Sequence, residues 1–246
     1  LKKFISELYD KSTGCSKGRG GSMHLTDLNA GFVASTAIVS STIPVGVGLG
    51  LSSKILGKKQ IIIIYLGDAS VEEGVFFESL NFAIIKKIPT IFICENNFFS
   101  VYSPLSVRQP VNREIYKMVK GCHIKSYKAN GNSFKNVIST FLKAKKITKE
   151  DSQPIFLEFE TYRWFEHCGP NLDDHLNYRS KSEIEFWKKN DPINILQNFL
   201  IKKGWTSHYA INAMRNLIHK QIDLSFQYAN KSPFPKKKDL SKYLYK

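Results

Sequence analysis

Cysteine, arginine and long apolar runs are all scarce in this sequence of 246 residues. The four cysteines stand at 15, 94, 122 and 168, with no close pair and no Cys/His spacing of the zinc-site kind. Neither a disulfide framework nor a structural zinc centre is therefore expected, and the cysteines read as reduced thiols of a cytoplasmic (or organelle-matrix) protein. The apolar run Ile61 to Leu66 spans six residues, where a membrane-crossing helix needs about 20, and no signal-peptide pattern opens the chain. Acidic residues are few as well, 21 against 36 basic, which leaves a net charge of +15. A charge of that size raises nucleic acid as a partner. Only six of the basic residues are Arg, however, and the Lys are scattered, with Lys236-Lys237-Lys238 the one run. An A/T-rich genome, which favours Lys, Ile, Asn and Phe codons, accounts for the same excess. No nucleic-acid partner and no membrane partner are expected.

What is present is an alternation of short apolar runs and longer segments of helical period, the pattern of a parallel sheet flanked by helices. Strands are predicted at Gln60–Leu66, Thr90–Cys94, His123–Lys128 and Ile155–Phe159. Helices are predicted at Pro44–Leu56, Val71–Ile85 and Ser133–Lys146. After Phe159 comes a polar loop, Arg163 to Tyr178, and then helices at Glu183–Lys188, Ile193–Lys203 and Ser207 to about Tyr228. No internal repeat or long linker divides the chain. The reading is one α/β domain over 1–230 with a C-terminal helical extension, then an extended tail over 231–246. A chain opening on Leu1 is read as N-terminally incomplete.

Leu66-Gly67-Asp68-Ala69-Ser70 closes the first strong strand and Glu95-Asn96-Asn97 closes the next. Asp68 and Asn97 are separated by about one strand–helix–strand unit. Both then sit at the carboxyl ends of neighbouring parallel strands, the edge where open α/β sheets bind ligands. An Asp carboxylate beside an Asn carbonyl oxygen offers hard oxygen ligands to Mg²⁺, an ion that keeps positions for phosphate oxygens. A helix beginning after Ser70 aims free N–H groups at the same place. Taken singly, Gly67-Asp68 is a strand-end turn and Asn96-Asn97 a polar loop; together they predict a site for a phosphate-bearing cofactor.

The same residues resemble the thiamin-diphosphate motif. Lys17-Gly18-Arg19-Gly20-Gly21-Ser22-Met23-His24, Ala37-Ile38-Val39 with Ile43-Pro44, Ile91 to Asn97, and Thr161-Tyr162-Arg163 with His167 are similar to the α subunit of the 2-oxo acid dehydrogenases that act on pyruvate, branched-chain 2-oxo acids or acetoin. The resemblance implies a thiamin-diphosphate-binding fold with Asp68, Asn97 and the backbone carbonyl of Phe99 as ligands of Mg²⁺. It implies that the amides of Ala69 and Ser70 hold the diphosphate, that Ala37 and Val39 meet the aminopyrimidine ring, and that Ile43 packs against the cofactor. It makes His167 the catalytic residue, on a loop near the diphosphate. The activity implied is decarboxylation of a 2-oxo acid with transfer of the acyl unit to an acceptor such as lipoamide. The partners implied are a β subunit supplying the activating glutamate, in an α2β2 heterotetramer, and a lipoyl acyltransferase.

Three positions depart from that pattern. Ala69 replaces a Gly, which is tolerable where φ stays negative. Glu166 sets a carboxylate beside His167, an arrangement that raises a histidine pKa. Cys168 to Asp174 replaces a segment that carries a regulatory Ser in pyruvate dehydrogenases. Glu73, three residues after Ser70, has capping-box spacing and reads as structural. His24 is a loop anchor or a subunit-contact residue. Arg163 and Arg179 either bind an anion or order the histidine loop. Gly46-x-Gly48-x-Gly50 lies inside a helix, so close packing is preferred over a dinucleotide fingerprint. The cofactor half of a split transketolase-like enzyme is the alternative enzyme reading, and a basic nucleic-acid-binding protein the alternative outside enzymes.

Overall fold

The computed structural model describes residues 1–239, 241 and 242; the remainder of the expected tail, 240 and 243–246, lies outside the described residues. The chain falls into two compact units, Leu1–Val39 with Leu200–Lys246, and Ser40–Phe199.

In the first unit α1 (Lys2–Leu8) packs on the long α9 (His208–Lys231), with Tyr9 edge-on to Phe226 at 5.8 Å. Ser207 caps α9 by accepting the Ala210 N–H at 3.2 Å, a side-chain bond that satisfies one orphan donor of the first turn. Glu7 of α1 is buried, and its carboxylate accepts N–H groups from Ser16, Gly18 and Gly20 at 2.7, 3.1 and 2.6 Å. The glycine-rich segment is thus wrapped around one carboxylate. Gly18 has φ +74°, and a Cβ there would meet the Asp10 carbonyl oxygen at 2.6 Å, so only glycine fits.

The second unit is built on a four-stranded parallel sheet of β1 (Ile62–Gly67), β2 (Thr90–Asn96), β5 (Lys125–Asn130) and β6 (Ile155–Glu160), ordered β1-β2-β6-β5. A two-stranded antiparallel ladder joins β3 (Phe99–Ser100) to β4 (Ser103–Pro104). β2 and β6 are buried along most of their length, as unbroken apolar runs in the middle of a parallel sheet require. On one face α2 (Thr42–Ile55), α3 (Gly74–Ile85) and α5 (Ile115–Lys120) bring Val47, Phe76, Leu80 and Val119 onto Ile64, Phe92 and Phe156. On the other, α6 (Phe134–Asp151) covers Ile91, Ile155 and Leu157. Ser133 caps α6 by accepting the Asn136 N–H. α4 (Leu105–Arg108), α7 (Lys181–Lys189) and α8 (Pro192–Lys202) complete the helices used below.

The expected parallel sheet, its flanking helices and the C-terminal helices are all present, with shifted ends. The third strand starts at Lys125 rather than His123, because His123 sits at φ +62° and cannot extend a strand. The helix expected from Val71 starts at Gly74, because Asp68–Glu72 forms a 3-10 turn first and Glu73 is extended. Glu73 is therefore the N-cap residue of α3, and no capping box with Ser70 forms. The glycines of α2 are packing residues: a Cβ on Gly46 would stand 2.6 Å from Ile64 Cγ1 and one on Gly50 2.5 Å from Ile88 Cγ2, while Gly48 faces open space.

Candidate functional site

β1 and β2 pair with Gly67 opposite Glu95, so Asp68 and Asn96 leave the sheet at the same level. Asp68 opens the 3-10 turn and is buried, 2% exposed. After β2 the chain folds back through the hairpin, and β3 lies against the Asp68–Glu72 turn. Two side chains shape that reversal: Asn96 Oδ1 accepts the Phe98 N–H and Asn97 Oδ1 accepts the Phe99 N–H, each at 3.0 Å. Phe98 adopts φ +69° between them. Leu105 N–H donates to the Phe98 carbonyl at 2.8 Å, so Phe99 and Pro104 face each other as an antiparallel pair without mutual hydrogen bonds. Asp68 and Asn97 thus follow the carboxyl ends of neighbouring strands, as their spacing predicts, and Phe99 lies in the hairpin directly after them.

Two further side chains organise this edge, and sequence reasoning missed both. Arg108, at the end of α4, donates from Nη2 to Asp68 Oδ2, from Nη1 to Glu72 Oε1 at 2.5 Å and from Nε to the Ser103 carbonyl at 3.2 Å. Gln109 Nε2 adds a bond to Glu72 Oε1 at 3.1 Å. Glu158 lies inside β6, 2% exposed; Oε1 accepts Asn96 Nδ2 at 2.8 Å and Oε2 accepts the Tyr116 N–H at 2.8 Å. Burial pushes the Glu158 carboxyl above its ordinary value, and the bonds from Asn96 and Tyr116 pull against that. A signal for each was available: an arginine in an arginine-poor chain shortly after Asn97, and a charged residue inside an apolar strand, where charges persist only when paired. Burial, then the charges of Glu158, Asp68 and Glu95, holds the Cys94 thiol well above its usual range, which leaves it inert as a nucleophile.

Among the described residues no three His, Cys, Asp or Glu side chains converge as a metal centre. A cation at this edge would draw instead on one carboxylate, one amide oxygen and one backbone carbonyl, the hard donor set that suits Mg²⁺ completed by phosphate oxygens. Arg108 occupies only Oδ2 of Asp68, so Oδ1 is left for an ion, and the donor set fits. Ala69 stays outside the positive-φ residues, so its Cβ costs nothing there. Ser70 is buried, and its carbonyl accepts Ser40 Oγ at 3.0 Å. Ile43, expected against a cofactor, has no exposed surface; it packs inside the core with Val47 and Ile64. Ala37 and Val39 are exposed and belong to the first unit.

His167 is exposed on the loop after β6. Glu166 does not pair with it: the Glu166 carboxylate accepts the Asn171 backbone and side-chain N–H groups at 3.2 and 2.8 Å, and Glu166 N–H returns a bond to the Asn171 carbonyl. This tight turn also explains Gly169, where a Cβ would meet Glu166 Oε1 at 2.1 Å. The loop is anchored at its base. Arg179 pairs with buried Asp173 and donates to the Arg163 carbonyl at 2.5 Å, between the rings of Tyr162 and Tyr178. Tyr178 donates to Asp173 at 2.6 Å, and Arg163 donates to Tyr178 and to the Val101 and Phe165 carbonyls. Both arginines are spent on ordering the loop.

The description "Dehydrogenase E1 component" matches residues 1–238. The pyruvate dehydrogenase E1 component subunit alpha of Rickettsia bellii is 31% identical over 244 residues, which cover 99% of this chain and 74% of that protein. The human mitochondrial somatic form of that subunit is 30% identical over 246 residues, 100% of this chain and 61% of that protein. The testis-specific form of Rattus norvegicus matches at the same identity and coverage.

Proposed function

Because this chain belongs to the dehydrogenase E1 component family, we propose that it is the α subunit of a thiamin-diphosphate- and Mg²⁺-dependent enzyme that decarboxylates a 2-oxo acid and passes the acyl unit to lipoamide. The observation that carries this reading is the convergence of Asp68, Asn97 and Phe99 at the carboxyl edge of adjacent parallel strands. Asp68, Asn97 Oδ1 and the Phe99 carbonyl hold Mg²⁺. The amides of Ala69 and Ser70 hold diphosphate oxygens, which suits the turn that carries them because its N–H groups are not consumed by a preceding helical turn. Thiamin diphosphate, when bound, supplies the nucleophilic carbon and the electron sink for loss of CO₂.

The protein's share is position and charge. His167 is the catalytic residue, presented to the substrate by a loop whose base is locked by the Asp173–Arg179 pair. Ile43 supports the turn from the core beneath it. A β subunit supplies the glutamate that activates the cofactor, in an α2β2 heterotetramer served by a lipoyl acyltransferase. The first substrate to try is pyruvate, the one for which the relatives are named.

With the β subunit co-expressed, Mg²⁺ and thiamin diphosphate together raise the melting temperature, and CO₂ is released from a 2-oxo acid. Asp68→Ala removes both effects. Absence of any thermal shift with the intact heteromer would refute the reading.

A further inference from the structure

The Arg108 cluster is unusual in its charge balance. Asp68 opens the 3-10 turn and Glu72 closes it, and a guanidinium is fixed across both. Arg108 has no rotamer to spare: Nε is tied to the Ser103 carbonyl, each of its two terminal nitrogens holds a carboxylate, and its side chain is 11% exposed. Two carboxylates and one guanidinium sum to a single negative charge. A divalent ion on Asp68 Oδ1 would sit across one carboxylate from that fixed positive charge. At such a separation, in a site where Asp68 is almost wholly buried, like charges repel strongly. An anion bound to the same ion lies within the Debye length of Arg108 and is attracted by it.

We infer that Arg108 is the built-in counter-cation of the Asp68 site, and that its charge makes a divalent cation and a diphosphate anion bind together rather than the cation alone. The inference rests on the assignment of Asp68 as a cation ligand proposed above. Arg108 is a positioning residue in this scheme: it bridges the two carboxylates, and it sets the sign of the coupling between the two ligands. Such coupling is reciprocal, so the cation strengthens diphosphate binding by the same factor.

The test is equilibrium dialysis of the full chain, co-expressed with its β subunit, against Mn²⁺ at fixed free concentration, with and without inorganic diphosphate. Wild-type protein is expected to bind Mn²⁺ weakly alone and at least about tenfold more tightly with diphosphate, a coupling of about 1.4 kcal/mol. Arg108→Met binds Mn²⁺ alone about tenfold more tightly than wild type and gains less than about threefold from diphosphate. Arg108→Lys, which keeps the charge, retains the wild-type coupling and guards against a folding defect in the Met variant. Coupling unchanged in Arg108→Met, or lost equally in Arg108→Lys, overturns the inference while leaving Asp68 as a ligand. Wild-type protein that takes up no Mn²⁺ in either condition, or Asp68→Asn that takes up as much as wild type, overturns the assignment of Asp68 and the inference with it.

Discussion

Glu158 offers the sharpest perturbation of the loop that carries Asn97, because it acts on it through one intermediate. Its carboxylate holds Asn96 Nδ2, and the other end of the same amide holds the Phe98 N–H. The turn that presents Asn97 and Phe99 is therefore fixed by a chain of bonds that starts in the middle of β6. Glu158→Ala strands two buried donors, Asn96 Nδ2 and the Tyr116 N–H, each worth about 1–3 kcal/mol when left unsatisfied, for a loss of about 3–5 kcal/mol once the vacated volume is included. Glu158→Gln keeps the shape and one acceptor but turns an NH₂ toward a donor, for a loss of about 1–2 kcal/mol. Urea unfolding followed by circular dichroism measures both. The pH dependence has a definite sign. Burial raises the folded-state pKa above the ordinary 4.5, so the contribution tied to that shift is full below pH 4.5 and is lost as pH rises through the raised folded value. The stability gap between wild type and Glu158→Gln should narrow over that interval. A Glu158→Ala loss under about 1 kcal/mol, or a gap that widens with pH, would show that Glu158 is not the support of the Asn97 turn.

Two other outcomes follow from the packing. Arg179→Met removes the nearest cation from buried Asp173 and leaves it the Tyr178 hydroxyl and Arg163 at 3.7 Å, a loss of about 1–3 kcal/mol for a charge-assisted bond; limited proteolysis should then cut between residues 163 and 178 under conditions where wild type is resistant. Gly50→Ala drives a Cβ to 2.5 Å from Ile88 and is expected to cost about 1–3 kcal/mol through overpacking, whereas Gly48→Ala, facing open space, is neutral or stabilising by up to about 1 kcal/mol. Thermal denaturation of the pair distinguishes a packing helix from a nucleotide-binding turn, since the latter has no reason to separate the two positions in this way.

Much of the chain announces itself locally. Ile-rich runs at Ile61–Leu66 and Ile91–Cys94, each followed by a polar turn, specify strands because β-branched residues favour extended backbone; the second is buried on both faces, the mark of the middle of a parallel sheet, whereas Ile63 and Tyr65 leave one face of the first exposed. The 29 residues from Asp68 to Asn97 then bring two oxygen donors to one edge through topology alone. The small residues of α2 and the N-caps Ser133 and Ser207 are legible for the same reason: the physics is within one or two turns of the residue. Local pattern also misled where a tertiary demand intervened. The 3-10 turn at Asp68–Glu72 delays α3 to Gly74, and the Asn171 amide draws Glu166 away from His167.

What only the tertiary structure decided is which charges meet. Arg108 reaches Asp68 across 40 positions and Glu158 reaches Asn96 across 62, and no periodicity encodes a pairing at such separation. Strand order and hairpin geometry decide it, by stacking β6 beside β2 and folding α4 over the end of β1. The sequence by itself determined a parallel α/β chain with oxygen donors at a strand edge. The fold decided that this edge carries its own fixed positive charge, because a buried carboxylate must find a partner, and the chain offers Arg108.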